Sequence, residues 1–192
     1  METIKSIDLN KLRDEAYRNA VEHGWHDEDL SNEHFLCLVI SELMEAVQAE
    51  RIGKHADIAK FKEWQGNSIP FCEETRVRRF QEDFEAYIKD SVEDELSDTC
   101  IRLFDFAGLR GIDLNSYKYD YSNTTDYSRI SFTESAFLIS YVILNEYHAT
   151  FCMILEDIFS LCRSRNIDIL WHIEMKMKYN RTRPRMHGNK KF

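Results

Sequence analysis

Four carboxylates in two pairs, Glu42-Leu43-Met44-Glu45 and Glu95-Leu96-Ser97-Asp98, carry the most specific chemistry in this 192-residue chain. On an α-helix a spacing of three places both members of a pair on one face, about one turn apart. Like charges at that spacing repel by a few tenths of a kcal/mol (~0.2–0.5). Taken singly, either pair reads equally as a solvated helix face, with Asp98 paired to Arg102 at i,i+4. Their setting argues for more. Phe35, Leu38, Glu42, Glu45 and Ala49 fall on one 3,4-spaced stripe, so the two glutamates stand where apolar residues are expected. Val92, Leu96, Thr99, Leu103 and Phe106 form an apolar seam, and Glu95, Asp98, Arg102 and Asp105 run parallel to it one residue back. Two helices packed along these faces would bring four carboxylates to the core margin, where only cations or protons make them tolerable. All-oxygen ligands suit a hard octahedral ion such as Mg²⁺, with Mn²⁺ as a substitute. A di-iron centre of the four-helix type needs Glu-x-x-His, and none of the 7 histidines has an acid three residues before it.

An anionic ligand is the natural partner of such an ion. Ile169 and Ile173 continue at the same spacing into Lys176 and Asn180, with Tyr179 and Arg183 close to that face. Lysine and amide groups there can hold phosphate oxygens, and Tyr179 can stack on a nucleoside. The same residues also fit a basic helix end that interacts with its own dipole. Trp25, between the first two helices, is either an apolar staple on the core or a base-stacking platform. The net charge is −9, with 25 basic and 34 acidic residues. From Lys176 onward there are seven basic residues and no acidic one, leaving −16 for the rest. This balance argues against nucleic acid as a partner and suits a small polyanion held between metal ions and basic groups.

The elements that must position these groups are helical. Only 6 Gly and 2 Pro punctuate the chain, and long periodic segments dominate, so the class is all-α. A first helix is predicted over about 8–22, from an Asp8 cap to Gly24, and a second from a Ser31 cap to about residue 51, ended by Gly53. A short helix near 58–64 precedes Pro70, and a helical stretch starts at Glu73 and either breaks or bends before Ser91. The next helix carries Glu95 and Asp98 and is closed by Gly108 and Gly111. Residues 113–127 read as a loop, 133–165 as one long helix, and 168–179 as the last, with Pro184 opening an extended basic tail within 181–192. At 43% hydrophobic and 12% aromatic residues, the chain supports one domain spanning 1–192. The five cysteines lack C-x-x-C spacing and read as small core residues in a reducing cytoplasm. No apolar run reaches membrane-spanning length and no signal-peptide core is present at the start, so a soluble cytoplasmic protein without a membrane partner is expected.

The spans SELMEAVQAER, VEDELSDTCIRLFDFAG and KMKYNRTRP together resemble the MazG-like all-α nucleoside triphosphate pyrophosphohydrolases. The resemblance covers about residues 24–51, 89–111 and 171–192. It implies a multi-helix bundle and assembly as a homodimer or homotetramer. It implies Mg²⁺ on Glu42, Glu45, Glu95 and Asp98, one of which could double as the catalytic base. It also implies nucleotide contacts from the Lys176, Tyr179 and Asn180 segment. The 49 residues between Glu45 and Glu95 exceed the gap of compact members, implying an insertion within 52–90. The implied activity is hydrolysis of a nucleoside triphosphate to its monophosphate and pyrophosphate, as in nucleotide-pool cleaning. In that reading Lys176, Asn180 and Arg183 hold the outer phosphates. Phosphoribosyl-ATP is the rival substrate within the superfamily. A catalytically idle dimerisation or partner-binding module is the rival class, motivated by the insertion and the apolar segment FLISYVILNEYHATFCMIL.

Overall fold

The computed structural model describes residues 7–66, 72–116, 125–145 and 151–186. Among these the chain forms eight α-helices, one 3₁₀ turn and no strand. The helices are α1 (Leu9–Glu22), α2 (Asn32–Arg51), α3 (Ile58–Gly66), α4 (Glu73–Tyr87) and α5 (Val92–Leu109). After the 3₁₀ turn (Tyr127–Arg129) come α6 (Phe132–Asn145), α7 (Phe151–Ser164) and α8 (Ile169–Arg181). Four of the starts follow from side-chain chemistry. The oxygens of Asp8, Ser31, Ser91 and Asp168 accept the otherwise orphaned N–H of Lys11, His34, Asp94 and Trp171.

α5 is the axis of the molecule. α1, α2, α7 and α8 all pack on it, and α6 packs on α2 and α7. The burial of α5 is therefore nearly continuous from Val92 to Ala107, and its polar residues face other helices rather than solvent. Gly108, expected to close this helix, lies inside its last turn. A Cβ there would sit 2.5 Å from Cβ of Tyr17, so the missing side chain is what lets α1 approach α5. Gly111, in the left-handed conformation at φ +63, follows the helix end.

Three expectations are corrected. The apolar stripe of α2 is Phe35, Leu36, Val39, Leu43, Ala46 and Ala49, so Leu38, Glu42 and Glu45 lie beside the core rather than in it. An uninterrupted apolar stripe was available one residue away, and the helix is rotated onto it. The long helix over 133–165 is two helices, α6 and α7, that pack against one another, as the halves of one straight helix cannot. Each buries its own apolar face, α6 on α2 and α7 on α5. Cys37 and Cys72 are exposed, while Cys100, Cys152 and Cys162 are buried free thiols.

Between α2 and α5, α3 and α4 build a separate aromatic core of Phe61, Phe80, Phe84 and Ile88, closed by Tyr179 and Trp171 of α8. This packing joins the 52–90 region to the bundle through α8. Arg185 pairs with Asp27, and the Met186 N–H donates to the His23 carbonyl. The start of the tail thus lies along the α1–α2 link. Pro70, most of the expected loop over 113–127 and the tail beyond Met186 lie outside the described residues. No helix among the described residues is long and apolar enough to cross a membrane.

Candidate functional site

One cavity of about 170 Å³ opens between α1, α2, α5 and α8. Eight of the nine residues singled out in the sequence line it: Trp25, Glu42, Glu45, Glu95, Asp98, Lys176, Asn180 and Arg183. Tyr179 does not. Its ring stacks on Phe84 at 4.4 Å and its hydroxyl donates to Glu85 Oε1 at 2.7 Å. The side chain therefore belongs to the aromatic core, which corrects its expected placement against a nucleoside. Its neighbour Asn180, 100° around α8, is the one that reaches the cavity.

Carboxylate oxygens of Glu42, Glu95 and Asp98 all lie within 4.8 Å of one another. A second trio of Asp90, Asp94 and Glu95 is equally close and shares Glu95. Glu45 is exposed and belongs to neither trio. Asp90 and Asp94 escaped the sequence reading, because Asp94 sits in the first turn of α5 and Asp90 in the connection before it. Asp90 takes the left-handed backbone conformation, φ 58, which aspartate tolerates better than most residues. Its N–H donates to Asp94 Oδ2 at 2.9 Å.

Burial sets the charge state of this group. Burial, reinforced by the Asp98 charge, pushes the Glu95 carboxyl up to about 8, and burial lifts Asp94 to about 6. Burial also raises Glu42, aided by Asp98 and opposed by Arg102, whose Nε donates to Glu42 Oε1 at 3.0 Å. Two of the three Lys176 ammonium donors go to Asp94 Oδ2 at 2.7 Å and Asp98 Oδ2 at 2.8 Å. Burial pulls that ammonium down, but Asp98 and Asp94 overcome the effect and hold it above the usual lysine value. Lys176, expected on the phosphates, is thus a tethered cation inside the acidic cluster. Asp94 Oδ1 stays buried with no hydrogen-bond partner among the described residues, an acceptor left over for a further cation or donor.

Farther along α5, Asp105 Oδ1 accepts from His26 Nε2 at 2.6 Å, and burial raises this carboxyl too. The Arg102 guanidinium lies 5.8 Å from the Trp25 ring centroid. Asn19 on α1 and Asn180 on α8 line the cavity with side-chain oxygens that are buried and have no partner among the described residues. Asn19 was missed, although its signal was present. It follows Leu9, Leu12 and Ala16 at helical spacing, as Asn180 follows Ile169, Ile173 and Lys176.

The residues present fit a hard divalent cation. The donors are all carboxylate oxygens, they converge from two helices, and one buried oxygen lacks a partner among the described residues. A proton-linked affinity follows. With its carboxyl near 8, Glu95 carries a proton at pH 7 in the metal-free protein, and the ion must expel it. Mn²⁺ affinity is expected to rise by up to about tenfold per pH unit between about pH 6 and 8 and to level off above. The metal-free protein moves the opposite way. Because the folded value lies above the unfolded one near 4.5, it loses stability as pH rises from there to about 8. Calorimetry in two buffers of different ionisation enthalpy, with melting curves on the same samples, checks both signs.

No protein-family model, no curated protein and no solved structure matches this chain.

Proposed function

We propose that this protein is a Mg²⁺-dependent nucleoside triphosphate pyrophosphohydrolase of the MazG-like type. The observation that carries the reading is the convergence of Glu42, Glu95 and Asp98 within 4.8 Å, in a cavity that also holds Lys176, Asn180 and Arg183. A cation with oxygen ligands and a polyphosphate with basic contacts are complementary demands, and one cavity meets both.

A Mg²⁺ ion held by these carboxylates supplies Lewis-acid stabilisation of phosphate charge and a more acidic bound water. The protein does the rest. Arg102 fixes the Glu42 carboxylate, and Lys176 fixes Asp98, so two of the three carboxylates are held in place before ligand arrives. The Asn180 amide on α8 and Arg183, two residues past the end of that helix, line the cavity and hold the outer phosphates, where negative charge accumulates on the leaving pyrophosphate. Glu45 lines the same cavity outside both trios and accepts the proton of the attacking water. Pyrophosphate release from a panel of nucleoside triphosphates with Mg²⁺ tests the reading, phosphoribosyl-ATP being included as the rival substrate. Release no higher than that of a Glu45→Ala control overturns it.

The chain is proposed to act as a homo-oligomer, a homodimer or homotetramer. α6 exposes Phe137, Leu138, Tyr141 and Leu144, an apolar stripe suited to a second copy of itself. Leu144→Glu is expected to shift the mass seen by light scattering toward the monomer at micromolar concentration. The same face is what favours an idle partner-binding module. Mg²⁺-dependent nucleotide binding in calorimetry, lost when Glu42 and Glu95 are replaced, separates the enzyme from that alternative.

A further inference from the structure

The cationic side chains that line the cavity are Lys89, Arg102, Lys176 and Arg183. Two of them are spent within the protein. Lys89 Nζ lies 2.5 Å from Asp90 Oδ1, and Lys176 bridges Asp94 and Asp98. Arg183, beyond the end of α8, serves the outer phosphates. Arg102 differs from all three. A guanidinium carries five N–H donors in one plane, and this one commits only Nε, which donates to Glu42 Oε1 at 3.0 Å. None of its four Nη hydrogens has an acceptor among the described residues. The group is nevertheless restrained. Its Cζ lies 5.8 Å from the Trp25 ring centroid, within cation–π range, so the indole and the Glu42 carboxylate both hold the plane. At 29% exposure the side chain is partly withdrawn from water yet open to a ligand. Glu42 belongs to the carboxylate trio. Arg102 is thus tied to the trio while keeping a planar pair of donors, the arrangement that matches two oxygens of one phosphate.

We propose, resting on the pyrophosphohydrolase reading of the same cavity, that Arg102 is a catalytic residue whose Nη donors grip the non-bridging oxygens of the phosphoryl group under attack. In that step the water oxygen bonds to the α-phosphorus, and its proton passes to Glu45. The bond from the α-phosphorus to the bridging oxygen breaks, and its electron pair leaves on pyrophosphate. Charge on the oxygens of the transferring group must be met throughout. A guanidinium already fixed beside them does so without having to reorganise. The cations then divide the substrate between them. Arg102 takes the phosphoryl group that stays on the nucleoside, while Asn180 and Arg183 take the pyrophosphate that departs.

Arg102→Lys is the separating variant, because an ammonium can still hold Glu42 but has no planar pair of donors. It is expected to lower kcat/KM at least about 100-fold while Mn²⁺ affinity stays within about threefold of native. Ethylguanidinium added to Arg102→Ala should raise its turnover at least about tenfold, by restoring the missing group. The readout without turnover is calorimetry, with Mg²⁺ present, of dAMP, dCMP, dGMP and dTMP and of inorganic pyrophosphate. Arg102→Lys should weaken the best-bound monophosphate at least about tenfold and leave pyrophosphate within about threefold. Native turnover in Arg102→Lys overturns the assignment. So does pyrophosphate weakened as much as the monophosphate, or Mn²⁺ affinity that falls in step with kcat/KM, since Arg102 would then act on the outer phosphates or through Glu42 alone. The expected monophosphate split in a protein that releases no pyrophosphate from any triphosphate supports the Arg102 contact and overturns the hydrolysis it rests on. Failure of every nucleotide to bind the native protein overturns both.

Discussion

Glu95→Gln is expected to abolish Mg²⁺-dependent pyrophosphate release, by ~10³-fold or more, while making the metal-free protein more stable. The two signs have one cause. Glu95 is shared by both carboxylate trios, is 4% exposed, and faces Asp98 and Asp94 with no hydrogen-bond donor to its carboxylate among the described residues. Burial first and then the Asp98 charge raise its carboxyl to about 8, so ionised Glu95 strains the fold whenever no cation is bound. Glutamine keeps the shape and removes the charge. The gain is expected to be about 1 kcal/mol, a few degrees in melting temperature at pH 8 and less at pH 6, where the native glutamate is already protonated. A carboxylate kept for structure would behave oppositely, because its removal would cost stability. Melting curves with and without Mg²⁺, read beside the activity, separate the two cases. In the variant, Mg²⁺ should lose most of its stabilising effect.

Lys176→Met is expected to be the most destabilising single change in the site, and the loss should be recoverable by metal. The ammonium is 4% exposed and bridges Asp94 and Asp98 at 2.7 and 2.8 Å. Removing one partner of a buried ion pair leaves the others uncompensated, which costs about 3–5 kcal/mol and lowers the melting temperature by roughly 10 °C for a chain of this size. Methionine matches the stem and meets Phe84, whose ring lies 5.7 Å from Nζ in the native protein, so the loss reports charge rather than packing. The orphaned carboxylates can recover stability by taking protons or a divalent ion. The defect should therefore shrink as pH is lowered to about 6, the value to which burial lifts Asp94. It should also shrink in millimolar Mn²⁺. Manganese affinity itself should increase, since the tethered cation that competes for Asp94 and Asp98 is gone. A defect that millimolar Mn²⁺ leaves untouched would mean that these carboxylates serve Lys176 alone.

The part of the site that was legible in the sequence is the part carried by helical periodicity. Glu42, Glu95 and Asp98 converge because spacing on a helix is a spatial statement, and Lys176 and Asn180 stand out by interrupting an apolar stripe. Caps at Asp8 and Ser31 were legible for the same reason, being local chemistry. Periodicity does not fix rotation between two stripes of similar quality. α2 turned its Val39, Leu43 and Ala46 side to the core, which moved Glu42 to the margin and left Glu45 exposed. Nor does it reveal backbone conformation at a single residue, and Asp90 joins the site only because its left-handed turn folds it back beside Asp94. Tyr179 was drawn away by a tertiary partner, the Phe84 ring of a helix pair whose packing on α8 no local signal announces. The division into α6 and α7 was hidden because no glycine or proline stands between them in the sequence, while in the fold each helix covers a different neighbour, α2 and α5.

The most direct test of the central claim is ³¹P NMR of a deoxynucleoside triphosphate panel incubated with the protein and Mg²⁺, with Glu95→Gln as control. Cleavage at the α-phosphorus gives monophosphate and pyrophosphate in equal amounts with no orthophosphate, and it should be absent in the variant and after chelation. Diphosphate with orthophosphate, or intact triphosphate at every base, would contradict a pyrophosphohydrolase built on Glu42, Glu95 and Asp98.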